Sequence, residues 1–224
     1  MADYTFNGHA LVSGDALIPQ LGFWTSDVYA SDAEASISVG DTGPLSILGV
    51  SRVGTVVSVG REAGFVRARV VGGRGKYDAE IESRSYRGYN AGAIALDCIQ
   101  DAGEAGGDGW GSFNVSCVDW TRAKGPLRDA MRRLGRLMGA GQVWRVTHDG
   151  SIAFLSESWR DNSGAVDRDG FIFPQEQVVQ FFPAEGSIEP GQTIKSFGVA
   201  RRVTRVEYRW SPSEGTCRAW YALP

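Results

Sequence analysis

The clearest pattern in the chain is a period of 3.6 across residues 125–141. Apolar side chains at Leu127, Ala130, Met131, Leu134, Leu137 and Met138 fall on one side of a helix. Pro126 suits the first turn, where its missing N–H would find no intrahelical partner. Gly139 and Gly141 suit the stop. The spacing predicts a helix over 127–138, roughly 18 Å long at 1.5 Å per residue. Residues 142–159 then read as two short strands joined by Asp149-Gly150, a pair that tolerates the positive φ angles of a type I′ turn. A two-residue turn there sets Val146 opposite Ala153 and Trp144 opposite Leu155, all on one face. A helix laid on this hairpin buries both apolar faces.

Ahead of this unit, residues 91–102 carry Ile94, Ala95, Cys98, Ile99 and Ala102 at helical spacing, with Asn90 as N-cap and Gly103 as stop. Residues 104–111 are too Gly-rich for a regular element and predict a mobile loop that orders on assembly. Residues 115–120 predict one further strand.

Both flanks carry the period-2 signal of strands. Residues 52–59 are Val-rich, and in 65–71 Arg67 and Arg69 alternate with Val66, Ala68 and Val70. Residues 76–82 follow a turn at Gly72-Gly-Arg-Gly75, giving an antiparallel meander, a piece of a barrel or sandwich. Shorter runs at 10–12 and 37–39 are candidate strands. Residues 17–24, broken by Pro19 and Gly22, read as loop or edge strand, with Phe23 and Trp24 either in the core or on a contact surface. Residues 161–170 read as a loop or segment boundary, 171–174 and 177–182 as short apolar runs, and 189–192 as a turn. In 192–210, Thr204, Val206, Tyr208 and Trp210 alternate with Val203, Arg205, Glu207 and Arg209, so one face is apolar and one charged; 216–221 returns. The fold class is α+β, mainly β: antiparallel barrel-type segments with a two-helix and β-hairpin insert. Three parts follow: 1–88, 89–160 and 161–224, the last completing or adding a barrel.

Composition narrows the function classes. The chain has 224 residues, long enough for a real core, with 42% hydrophobic residues. Its net charge of −3 argues against a dedicated nucleic-acid binder. Thirty glycines and seven tryptophans suit a turn-rich β protein. Cys98, Cys117 and Cys217 are too few and too dispersed for a disulfide framework or a zinc site, and are expected to be reduced thiols. No stretch approaches the ~20 apolar residues that span a bilayer. The N-terminus lacks the basic start and apolar run of a signal peptide, as expected of a chain made in the cytoplasm.

Catalytic constellations are scarce. His9 and His148 lack evident partners. Asp97, Asp101 and Glu104, spaced along the first helix, offer paired carboxylates for hydrolysis or simply a wet acidic face. Gly-x-Ser-x-Gly, Gly-Lys-Ser/Thr and Gly-x-Gly-x-x-Gly signatures are absent. No catalytic, metal or cofactor residue is expected. Arg128, Arg132 and Arg136, with Arg133, make one side of the second helix basic, either as a solvated face or as a contact for phosphate or an acidic partner. Trp24, Trp110 and Trp120 are candidate stacking platforms of a carbohydrate- or receptor-binding β module.

The order of these signals carries a resemblance. Arg52-Val-Gly-Thr-Val-Val-Ser-Val59 precedes a strand ending Val70-Val-Gly-Gly73. Tyr86-Arg-Gly88 and a helix ending Asp101-Ala-Gly-Glu104 come next. The 127–138 helix, Trp144-Arg-Val-Thr-His-Asp-Gly-Ser151 and Glu157-Ser-Trp159 follow. Glu189-Pro-Gly-Gln-Thr193 precedes the Arg/Val strand and Cys217-Arg-Ala-Trp220. Over residues 45–224 this resembles the baseplate or tail hub proteins of tailed phages and related contractile injection machines. The resemblance implies β-barrel domains related to tail-tube subunits, assembled as a homotrimer that joins tail tube to spike or tip. It implies no catalysis and no cofactor, DNA only as cargo in a lumen, and a place in the virion tail after assembly in the host cytoplasm. Arg205 and Arg209 would line that lumen or meet a neighbour.

Overall fold

The structure, a computed structural model, describes residues 4–31, 36–156, 170–182 and 188–222. Residues 161–169 of the boundary loop expected at 161–170, the division at 160/161 and the Glu157-Ser-Trp159 motif lie outside the described residues. The chain opens with β1 (Thr5–Phe6), β2 (His9–Ala10), β3 (Ser13–Pro19), β4 (Thr25–Ser31), β5 (Thr42–Ile47), β6 (Val50–Glu62) and β7 (Phe65–Gly72). An excursion follows: β8 (Glu80–Ile81), β9 (Arg84–Asn90), α1 (Ala91–Asp101), a 3-10 turn (Trp110–Ser112), β10 (Ser116–Arg122), β11 (Gly125–Pro126), α2 (Leu127–Gly135), β12 (Gln142–Val146) and β13 (Ile152–Ser156). The last strands are β14 (Phe171–Phe173), β15 (Val178–Phe181), β16 (Thr193–Ser196), β17 (Val199–Trp210) and β18 (Gly215–Ala222).

Strands from both flanks form one antiparallel sheet of twelve, in the order β14-β15-β18-β17-β3-β4-β7-β6-β5-β1-β2, with β16 on β17. The protein is mainly antiparallel β with two helices. The sheet curls back on itself: Tyr4, beside the terminal hairpin, stacks on Trp210 in mid-sheet, ring centroids 4.9 Å apart and planes within 2°. Trp24 is buried and lies against Gly54 and Gly72, which face each other across β6 and β7. A Cβ on either would come within 2.6 Å of the indole, so both positions need glycine for the ring to reach the sheet.

Of residues 17–24, 20–24 are irregular, in line with the loop reading, while 17–19 belong to a strand that is not an edge. β3 sits mid-sheet between β17 and β4, and Pro19 is tolerated because it ends the strand. Its neighbour β4 escaped the pattern because Ser26, Val28 and Ala30, which point inward, are small. Residues 37–39 form no strand, and the strand expected over 76–82 shrinks to β8, which meets β11.

α1 follows its pattern closely. The Asn90 side chain accepts a hydrogen bond from the Ala93 N–H at 2.7 Å, Gly103 takes φ 83°, and Ile94, Ala95, Cys98 and Ile99 are buried. α2 is shorter than its pattern, ending at Gly135 and leaving Leu137 exposed. Pro126 caps it in extended conformation rather than entering it. The first free N–H groups of α2 are met from outside: Leu127 N–H donates to the Ala79 carbonyl at 3.0 Å and Arg128 N–H to Tyr77 at 3.1 Å.

The hairpin register is one residue off the two-residue expectation: Val146 faces Ile152 and Trp144 faces Phe154. The loop spans residues 147–151. In it only Gly150 has positive φ, whereas a type I′ turn requires two such residues. The longer loop is held by Thr147 N–H to Ser151 O, 2.8 Å, and by the Asp149 carboxylate, which accepts from the Thr147 hydroxyl and the Ser151 N–H. With this slip Trp144, Phe154, Val146 and Ile152 share the buried face.

The Gly-rich segment is not a loose loop. Ile152 N–H donates to Ala105 O, Phe154 N–H to Asp108 O and Gly107 N–H to Ile152 O, all within 2.9 Å, so residues 105–108 run along β13. Glu104 is buried and accepts from the Arg74 and Lys76 N–H groups. Burial pushes its carboxyl above the usual range, and those two hydrogen bonds oppose the shift.

Candidate functional site

The two helices treat their charges differently. On α1, Asp97 and Asp101 face the β9–β10 ribbon. Arg122 of β10, with 2% of its side chain exposed, approaches Asp97 at 3.5 Å and bonds Asp101, and its Nε donates to Glu82 O at 2.8 Å. Arg84 reaches Asp97 at 2.6 Å, and the Tyr86 hydroxyl also donates to Asp97; burial, then that bond, raises the Tyr86 pKa. Glu104 points elsewhere, to the 74–76 turn. Asp97 and Asp101, read either as paired carboxylates for hydrolysis or as a wet acidic face, are tied up by two arginines.

α2 presents its arginines to a groove of ≈ 820 Å³. One wall is α2, through Met131 and Gly135. The other is the sheet at Thr25 and Val71, together with Val57, turned outward by the bulge between Val56 and Ser58. The floor is aromatic. Segment 20–24 bonds to β12 (Gly22 N–H to Trp144 O, 2.8 Å; Val146 N–H to Gly22 O, 3.2 Å), which brings Phe23 to 5.9 Å from Trp144 and 4.4 Å from Tyr77, centroid to centroid. Arg128, Arg132 and Arg136 line the rim, joined by Arg69 of β7; among the described residues Asp78 is the one acidic group lining it. Arg128 pairs with Asp78 at 2.5 Å, Arg132 with Asp129 at 3.3 Å, and Arg69 with Asp27 at 3.0 Å. Arg136 has no acidic partner among the described residues. Arg133 leaves this rim and lies 5.2 Å over Trp120. Burial pushes the Tyr77 phenol up, and the nearby Arg132 and Arg128 charges pull it back.

Arg205 and Arg209 do not line this groove. On the exposed side of β17, Arg205 lies 3.9 Å over the Trp220 ring and Arg209 binds Glu207 at 2.8 Å. Trp24 and Trp110 are 2% exposed, and the Trp110 Nε1–H is bonded to Ile152 O, so neither can be a surface stacking platform; Trp120 is half-buried under Arg133.

Sequence reasoning missed a buried ionic cluster. Glu189, read as part of a turn, is 1% exposed. It accepts from Arg52 at 2.8 Å and His148 at 2.7 Å, with Arg145 at 3.5 Å. It ties β6, the hairpin and the C-terminal strands together. The signal was Arg145 interrupting an apolar strand, since a buried arginine requires a partner. All three cysteines are buried and none is in a disulfide. Among the described residues no helix is long and apolar enough to cross a membrane.

The curled antiparallel sheet with its two-helix and hairpin excursion is similar in fold to several solved tail proteins. The prophage MuSo2 43 kDa tail protein of Shewanella oneidensis aligns over 99% of this chain and 97% of its own, with TM-score 0.70 at 10% identity. A type VI secretion component of E. coli, described as structurally similar to two bacteriophage T4 tail proteins, aligns over 98% and 75% with TM-score 0.64 at 10% identity. A tail protein of Neisseria meningitidis MC58 aligns over 96% and 92%, with TM-score 0.62 at 10% identity. No protein-family model matches the sequence, and no curated protein matches it. At this identity the likeness establishes the fold.

Proposed function

We propose that this chain is a structural subunit of a phage tail tip or baseplate hub. It forms a homotrimeric ring that joins the tail tube to the spike or tip and passes DNA through its lumen as cargo. It works in the virion tail after assembly in the host cytoplasm, and it is not an enzyme. The observation that carries this reading is the whole-length fold match to tail proteins, 99% of this chain against 97% of the other. The three-part division of the chain and lumen or neighbour contacts at Arg205 and Arg209 belong to the same reading. Two physical features support it. Among the described residues the sheet ends at β14 and β2 with no further strand beyond them, rims that ring assembly would cover. The carboxylates that a hydrolase would need are already held by arginines. The native mass of the purified protein tests the ring: a trimer, alone or on adding the tail-tube protein, is expected. A strict monomer under both conditions, or clearing of cell wall in a zymogram, would overturn it.

A further inference from the structure

We propose that the groove beside α2 receives the β14 edge of a second copy of this chain, in a head-to-tail contact repeated around the ring. The inference rests on the ring reading above and names the surfaces that make it. The groove has an apolar lining that the described residues leave open, with Leu21 48% and Val57 37% exposed. Its rim carries Arg69, Arg128, Arg132 and Arg136; Asp27, Asp78 and Asp129 pair the first three, and Arg136 has no acidic partner among the described residues. An occupant with apolar anchors and a single acid fits it, which favours a protein segment over nucleic acid.

β14 has that chemistry. It is the outermost strand at one end of the sheet. Phe171 is 68% exposed and Phe173 41%, while Ile172 between them packs on the core. Alternation puts both rings on one side, about 6.7 Å apart. Glu176 follows in the exposed turn before β15. Two such rings each bring on the order of 200 Å² of surface to be buried, and Glu176 complements Arg132 or Arg136. In the sheet order five strand steps separate β14 from β4, which lines the groove through Thr25, so the two surfaces are different patches of the chain. Different patches meeting head to tail close into a ring when the rotation per step allows it.

The test is a pair of single-cysteine variants, Arg132→Cys and Glu176→Cys, since the native thiols are buried. Joined by a short bismaleimide, they are expected to give a covalent dimer when mixed and none when either is treated alone. Separately, Phe171→Asp with Phe173→Asp is expected to keep its melting temperature while raising the half-assembly concentration about 100-fold, as losing two interface anchors would. If the wild type assembles but the mixed pair does not cross-link, or the double variant assembles normally, this contact is wrong and the ring stands. If the wild type stays monomeric even with the tail-tube protein, the ring reading falls and this contact with it.

Discussion

α1 and α2 are both amphipathic and pack on the same core, but they differ in what their polar sides do. The acids of α1 are consumed within the protomer, by Arg84, Arg122 and Tyr86. The arginines of α2 stand at the rim of an open groove, and their internal partners are exposed ones, Asp78 and Asp129. The same pattern of charge at helical spacing is structural in one place and available in the other. What separates the two is the neighbour. A β ribbon covers the acidic side of α1, while across the groove from α2 the sheet stands off.

If that contrast is right, removing charge should cost stability beside α1 and not beside α2. The largest effect is expected from Arg122→Ala. It leaves Asp97 and Asp101 with only the exposed Arg84, 2.6 and 3.9 Å away, the Glu82 carbonyl without its donor, and a hole where the buried guanidinium lay. Breaking a fully buried pair costs about 3–5 kcal/mol, and because the two carboxylates are partly exposed and can rehydrate, about 3 kcal/mol is expected. Urea unfolding measures it; a change below about 1 kcal/mol would mean that the ribbon, not the ion cluster, secures α1. Next comes Asn90→Ala, which removes the side-chain acceptor for Ala93 N–H and should cost about 1 kcal/mol, read from the same unfolding curves.

The same contrast explains what could be read from the residues alone. α1 was legible end to end because its cap, apolar side and stop are local signals. The α2 arginines were legible as a stripe, but the groove was not. Its lining gathers Phe23, Val57, Val71, Tyr77 and Trp144, residues remote in sequence that meet only once the sheet curls. Glycine was the most misleading signal. Residues 104–111 looked mobile, yet a Cβ on Gly109 would lie 1.8 Å from the Phe154 carbonyl oxygen, and one on Gly92 1.9 Å from that of Trp110. Glycine there marks tight backbone packing rather than freedom. The hairpin slipped by one residue because Asp149-Gly150 is a turn signal that fits more than one loop length, and the Thr147 and Ser151 hydroxyls selected the longer one.

The smallest expected change in stability is the most informative about α2. Arg132→Glu with Arg136→Glu reverses two charges on an exposed helix end, where Arg132 has only the weak i,i+3 contact with Asp129 and Arg136 has no acidic partner among the described residues. Substitutions of that kind fall within about 0.5 kcal/mol of wild type. Negative charge in the last turn of α2 opposes the helix dipole, which sets the direction of the small change as a loss. Circular dichroism melts should therefore nearly superimpose on the wild type. If the two arginines instead serve the fold as Arg122 does, the double variant would melt well below the wild type, and the distinction between the two helices would be gone.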